Sequence, residues 1–155
     1  MRLQTACFTG HREIPYAEQK NIQKQTLDAV EDLYAHGFRI FCAGGALGFD
    51  TLAAQVVLSL KKVHPDIRLH LVLPCKDQTA RWSSVDRLMY EVIKRDADEV
   101  VYISDEYTRS CMHERNRRLV DESCACICYL KKTTGGTAYT VDYAEKSGLH
   151  IVRIG

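Results

Sequence analysis

Phe38-Arg39-Ile40-Phe41-Cys42-Ala43-Gly44-Gly45-Ala46-Leu47-Gly48-Phe49-Asp50 reads as a strand, a glycine-rich turn and the opening of a helix, one directly after another. The apolar run Phe38 to Ala43 suits a strand buried on both faces. From Phe49 to Lys62 the apolar residues Leu52, Ala53, Val56, Val57 and Leu60 recur at helical spacing, and His64-Pro65 ends the run. A turn of this kind lets the backbone approach an anion closely, and the helix it opens directs unpaired N–H groups at that anion. The spacing is neither the G-x-G-x-x-G of dinucleotide folds nor a P-loop, which needs a following Lys-Ser/Thr. Taken alone, Gly44 to Asp50 is equally a phosphate cradle or a tight turn that needs positive φ.

Working outward, apolar runs alternate with amphipathic ones along the whole chain, the pattern of βαβ units and a parallel sheet. Strands are expected at Leu3–Phe8, Phe38–Ala43, Ile67–Leu73, Glu99–Ile103, Cys124–Leu130 and His150–Ile154, about six in all. Helices are expected at Glu18–His36, Phe49–Lys62, Ser84–Asp96, Cys111–Glu122 and Thr137–Ser147. Right-handed crossovers bring the carboxyl ends of such strands to one edge of the sheet. The segments after the strands therefore converge: Thr9 to Arg12, Gly44 to Asp50, Pro74 to Trp82, Ser104 to Asn116 and Thr133 to Thr137.

The 155 residues suit one domain spanning 1–155, long enough to bury a core without disulfides or metal. A formal net charge of +1 supplies no global field for nucleic acid or anionic lipid. No segment is long and apolar enough to span a bilayer, and the opening residues turn polar too soon for a signal peptide. Seven cysteines without a regular framework fit reduced thiols, so a cytoplasmic protein is expected. Cys124, Cys126 and Cys128 invite a metal reading that strand geometry opposes. Alternate strand residues sit roughly 6.6 Å apart, whereas zinc–thiolate bonds are about 2.3 Å. They are expected as small buried side chains, with no metal site and no resident cofactor.

Several residues in the converging segments carry chemistry. Arg12, Arg81 and Arg115 offer guanidinium groups that bind phosphate or carboxylate bidentately. Of the arginines in Glu114-Arg115-Asn116-Arg117-Arg118, Arg115 lies nearest the start of its helix and is expected to point inward. Gly135-Gly136-Thr137 repeats the glycine logic at a second strand end: it is a phosphate turn or a turn closed by a threonine cap. Trp82 stacks a base or packs in the core. His11, beside Thr9, Gly10 and Arg12, is a ligand contact or a general acid. Asp50 accepts ribose hydroxyls or stabilises the first turn of its helix.

Thr9-Gly10-His11-Arg12, Gly44 to Asp50 and the pair Arg81-Trp82, in that order, resemble the YpsA-type family of the SLOG superfamily over nearly the whole chain. The resemblance implies a doubly wound, Rossmann-like α/β domain with a nucleotide-related ligand at the sheet edge, in a superfamily whose members often form homo-oligomers. A more distant likeness is to the Lonely Guy phosphoribohydrolases, which carry an M-H-E-R-K segment and then P-G-G-x-G-T-x-x-E. Met112-His113-Glu114-Arg115-Asn116 is similar to the first, and places Arg115 at that family's active-site arginine. Thr134 to Asp142 departs from the second, lacking the proline, the third glycine and the glutamate. An ungapped match sets Asp142 at the glutamate, and a two-residue slide sets Thr140 there. A third relative, the DNA-processing protein DprA, binds single-stranded DNA, but near-neutral charge and one tryptophan argue against a strand-binding groove here.

The expectation is therefore binding or sensing of a nucleotide-like small molecule. Gly44, Gly45, Gly48, Gly135, Gly136 and Thr137 would cradle phosphate, Arg12 and Arg115 neutralise it, Asp50 or Asn116 read ribose, and Trp82 flank the base. The alternative is N-glycosidic hydrolysis of a nucleoside monophosphate, with Arg115 and Asp142 as the catalytic pair.

Overall fold

A computed structural model describes residues 2–155. Six strands, β1 (Thr5–Gly10), β2 (Ile40–Ala43), β3 (Arg68–Cys75), β4 (Glu99–Ser104), β5 (Ala125–Tyr129) and β6 (His150–Arg153), form one sheet in the order β4-β3-β2-β1-β5-β6. Every neighbouring pair is parallel. The chain steps outward from β1 to β4, then crosses back to place β5 on the other side of β1. This is the doubly wound arrangement, and its switch point lies between β1 and β5.

Five helices connect the strands: α1 (Gln19–Ala35), α2 (Phe49–Lys61), α3 (Ser84–Asp96), α4 (Cys111–Asp121) and α5 (Gly136–Lys146). Strand alternation divides the core in two. Phe8, Phe41, Leu69, Leu71, Ile127 and Tyr129 face Ile22, Val30 and Leu33 of α1, Phe49, Ala53 and Val57 of α2, and Tyr90 and Ile93 of α3. Cys7, Cys42, Cys126 and Cys128 point to the other face, under Leu119 and Val120 of α4 and Val141 and Ala144 of α5. Cys7 lies in register with Cys42 on one side and Cys126 on the other. Small side chains at these positions let the two helices settle close to the sheet. Cys124, expected on the strand, precedes β5 and is only partly buried.

The strand ends differ from expectation where side-chain patterning is silent. β1 runs on through Thr9 and Gly10, because both pair with β5, opposite Cys128 and Tyr129. β2 begins at Ile40, two residues late: the Phe38 N–H closes α1 by bonding the Leu33 carbonyl at 3.0 Å, and so is taken from the ladder. α5 begins at Gly136 with Gly135 as its N-cap, so Thr137 is inside the first turn and is not the cap.

Candidate functional site

From the paired carboxyl ends of β1 and β5 the chain runs on to opposite faces of the sheet, to α1 and to α5, and leaves an open cleft of about 1650 Å³. Its walls come from the end of β1 and the residues after it, the start of α2, one face of α4, and the chain from Tyr129 to Thr137. Thr9, Gly10, His11, Arg12, Gly48, Asp50, Arg115, Asn116, Gly135, Gly136 and Thr137 all line it. Thus four of the converging segments meet as sequence reasoning placed them.

Their roles divide sharply. Arg115 is 5% exposed. Its Nη1 donates to the Gly44 carbonyl, its Nε donates to Asn116 Oδ1 at 2.7 Å, and Nη2 lies 3.9 Å from the Met112 sulfur. A Cβ on Gly44 would stand 2.5 Å from Nη1, so the glycine makes room for the guanidinium. Burial lowers the arginine's pKa, and the nearby Asp50 carboxylate opposes that loss of charge. Asp50 is 7% exposed and accepts the Ala46 N–H at 3.2 Å. Burial pushes its carboxyl up, while Arg115 and the Ala46 N–H pull it down. Arg115 and Asp50 therefore brace the glycine loop from within and show the cleft only a fraction of their surfaces.

The loop itself is a joint between segments. Gly48 has φ of 78°, and a Cβ there would collide with the backbone of His11 and Arg12. The Phe49 N–H, first of α2, bonds the His11 carbonyl at 3.1 Å. α2 thus spends the first donor of its positive end on the protein, and Asp50 fills its first turn with an acid. Gly44 and Gly45 do not line the cleft, which corrects their expected role as phosphate cradle; Gly45 packs against Leu73 and faces Gln78.

α5 is the contrary case. No side chain caps it, and the Gly136 and Thr137 N–H groups have no acceptor among the described residues. Space around Gly135 and Gly136 is open. Lys131 and Lys132 stand just before this turn, and Arg12 lines the same cleft. Neither Arg12 nor Lys132 forms a hydrogen bond or ion pair among the described residues. His11 sits between, accepting the Lys131 N–H on Nε2 at 2.8 Å with its ring edge-on to Tyr129.

Residues 8–151 match the model of the YspA SLOG family. The chain belongs to this SLOG family. Among its relatives, the chain is 31% identical to an uncharacterized SPbeta prophage-derived protein, YoqJ, of Bacillus subtilis (strain 168), over 83% of this chain and 82% of YoqJ. It is 30% identical to the UPF0398 protein BH1768 of Halalkalibacterium halodurans, over 88% of this chain and 71% of that one. In fold this SLOG chain is similar to DNA processing protein A of Helicobacter pylori, a structure described for its single-stranded DNA binding mode, with TM-score 0.69, 15% identity and 98% of this chain aligned. DNA processing protein A of Streptococcus pneumoniae gives TM-score 0.66 at 16% identity over 97% of this chain. The chain spans 65% and 50% of the length of those two proteins.

Besides Gly44 and Gly45, three expected site residues of the SLOG chain lie outside the cleft. Trp82 is half-buried, edge-on to Tyr90 at 5.4 Å, and packs on the core beneath α3. Its neighbour Arg81 is exposed and also outside the cleft. Both follow β3, two strands removed from the switch point, which is why a post-strand position did not bring them in. Asp142 faces solvent and pairs with Lys146 at 2.9 Å, one helical turn away, so it offers no carboxylate to the cleft. Thr140, its counterpart under the other alignment, is buried and donates its hydroxyl to the Gly136 carbonyl at 2.9 Å. Arg115 points inward as expected, whereas Arg117 lies over the Tyr143 ring and Arg118 pairs with Glu122.

Tyr129, Lys131, Lys132 and Glu18 line the site without having been singled out. Lys131 and Lys132 had a readable signal, since they directly follow the β5 run; the post-strand segment simply begins two residues before Thr133. Glu18 had none, because it reaches the cleft through the single 3-10 turn Tyr16–Glu18 that leads into α1.

Proposed function

We propose that the cleft binds a phosphate-bearing nucleotide or nucleotide-derived small molecule. One observation carries this reading: Arg12, Lys132 and the open N-terminus of α5, none of them with a hydrogen-bond partner among the described residues, share a single cleft at the switch point. Unpaired helix N–H groups beside a partner-free guanidinium are the chemistry that holds a phosphate. The switch point of a doubly wound sheet is also where such folds place ligands. Asn116, whose carbonyl is committed to Arg115, keeps its amide N–H groups for a hydroxyl. Glu18, Gln19 and Gln23, on the α1 side, supply acceptors and donors for ribose and base.

The test is calorimetry and thermal shift with adenosine monophosphate, ADP-ribose and NAD, with a short oligothymidylate as a further arm. Saturating ligand at about one hundred times Kd stabilises the folded state by about 2.7 kcal/mol. Arg12→Ala and Lys132→Ala are each expected to weaken binding about tenfold, since one charge-assisted hydrogen bond contributes roughly 1.5–3 kcal/mol. Tight binding of the oligonucleotide alone would redirect the reading from a small molecule to a strand.

A further inference from the structure

The bond between His11 and Lys131 decides more than packing. Its donor is a backbone N–H, which is always protonated, so Nε2 must present a lone pair. The imidazole is then neutral, and its proton resides on Nδ1. The bond joins the residue that follows β1 to the second residue after β5, across the switch point. Lys132 follows at once, and the open turn at Gly135 lies a few residues on.

We infer that His11 is a proton-sensitive tether: as the Nδ1–H tautomer it pins the lysine-bearing loop after β5 to the end of β1, and on protonation it releases that loop. An Nε2–H would face the Lys131 N–H, donor against donor, so the bond is replaced by repulsion. The charged and titratable groups that line the cleft with His11 are Arg12 and Glu13 on its own segment, Glu18 before α1, Asp50 on α2, Asp86 on α3, Arg115 on α4, and Tyr129, Lys131 and Lys132 on β5 and its loop. Asp50 is turned to Ala46, and burial together with Lys132 lowers the imidazole pKa from 6.5. Neutral His11 is thus the state favoured near neutrality, and the lysines are held in the cleft there. The consequence for ligand binding rests on the function proposed above; the tether itself does not.

Two-bond proton–nitrogen spectra of the imidazoles at pH 8 read the tautomer directly. A protonated Nδ1 with an unprotonated Nε2 at His11 is expected, and the opposite tautomer, or averaging between the two, overturns the inference. Hydrogen-exchange protection of the Lys131 amide supplies the second readout. It should fall about tenfold as the ring titrates, the loss of one hydrogen bond. His11→Gln places a carboxamide oxygen at the Nε2 position and should keep the protection flat with pH, whereas His11→Ala should lose it throughout. A pH step that persists in His11→Gln, or a protection unchanged between wild type and His11→Ala, refutes the tether. None of these measurements uses a ligand, so failure of adenosine monophosphate to bind would count against the cleft reading alone.

Discussion

At the residue scale, burial separates structural charges from those available to a ligand. Arg115 occupies the position that a motif comparison assigns to an active-site arginine, yet its Nη1 holds the Gly44 carbonyl and it sits beside the buried Asp50. Removing it would take the donor from the buried Gly44 carbonyl and the nearby positive charge from the buried Asp50 carboxyl. Arg115→Ala is therefore expected to destabilise the free protein by about 3 kcal/mol in urea denaturation. An unchanged urea midpoint would show that the guanidinium serves only the cleft. Arg12→Ala, at an exposed side chain, should leave stability within about 0.5 kcal/mol. His11 sets a pH dependence of opposite sign to that of a histidine held in an ion pair. Its folded pKa lies below 6.5, so the unfolded chain binds the extra proton, and this contribution to stability is full above pH 6.5 and declines as pH falls toward the folded value. Denaturation series across that range should show the slope in wild type and a shallower one in His11→Gln.

Two helix N-termini, each preceded by glycines, carry the argument at the scale of elements. They look alike in sequence and differ in what approaches them. Gly48 precedes α2 with the His11–Arg12 backbone pressed against it, and the His11 carbonyl takes the first helix N–H. Gly135 precedes α5 with nothing within 4 Å of where a Cβ would stand. Both have positive φ, so alanine is strained at either, but only at Gly48 does it also meet backbone that cannot move aside. Gly48→Ala should lose about 3 kcal/mol or more and Gly135→Ala about 1–2 kcal/mol, measured by chemical denaturation. Equal losses would mean that the two turns are equivalent after all. The helices were legible because each stripe has a 3.6-residue period, and α3 begins and ends at the expected residues, Ser84 and Asp96. The end of β1 was not, since Thr9 and Gly10 pair through backbone alone, and Gly10 is demanded by the Phe49 ring 2.5 Å from where a Cβ would lie.

For the whole molecule, topology chooses the site. The order β4-β3-β2-β1-β5-β6 puts the ends of β1 and β5 side by side and carries the end of β3 away, so His11, Lys131 and Gly135 share a cleft that Trp82 does not enter. The cationic groups there lie in open cleft, where salt screens them. Affinity for a phosphate-bearing ligand should accordingly drop as ionic strength rises, and a titration series in increasing salt checks it; an affinity independent of salt would argue for recognition by other groups. Apolar period and glycine punctuation, local properties of the chain, by themselves determined a parallel α/β fold, its strands and helices, and the edge at which the segments after the strands gather. Which of two similar glycine turns stays open, which arginine is buried, and whether Asp142 or Lys132 reaches the cleft were decided only by tertiary structure. Those outcomes depend on which backbone and side-chain atoms from distant segments arrive within a few ångströms, and no local pattern encodes that.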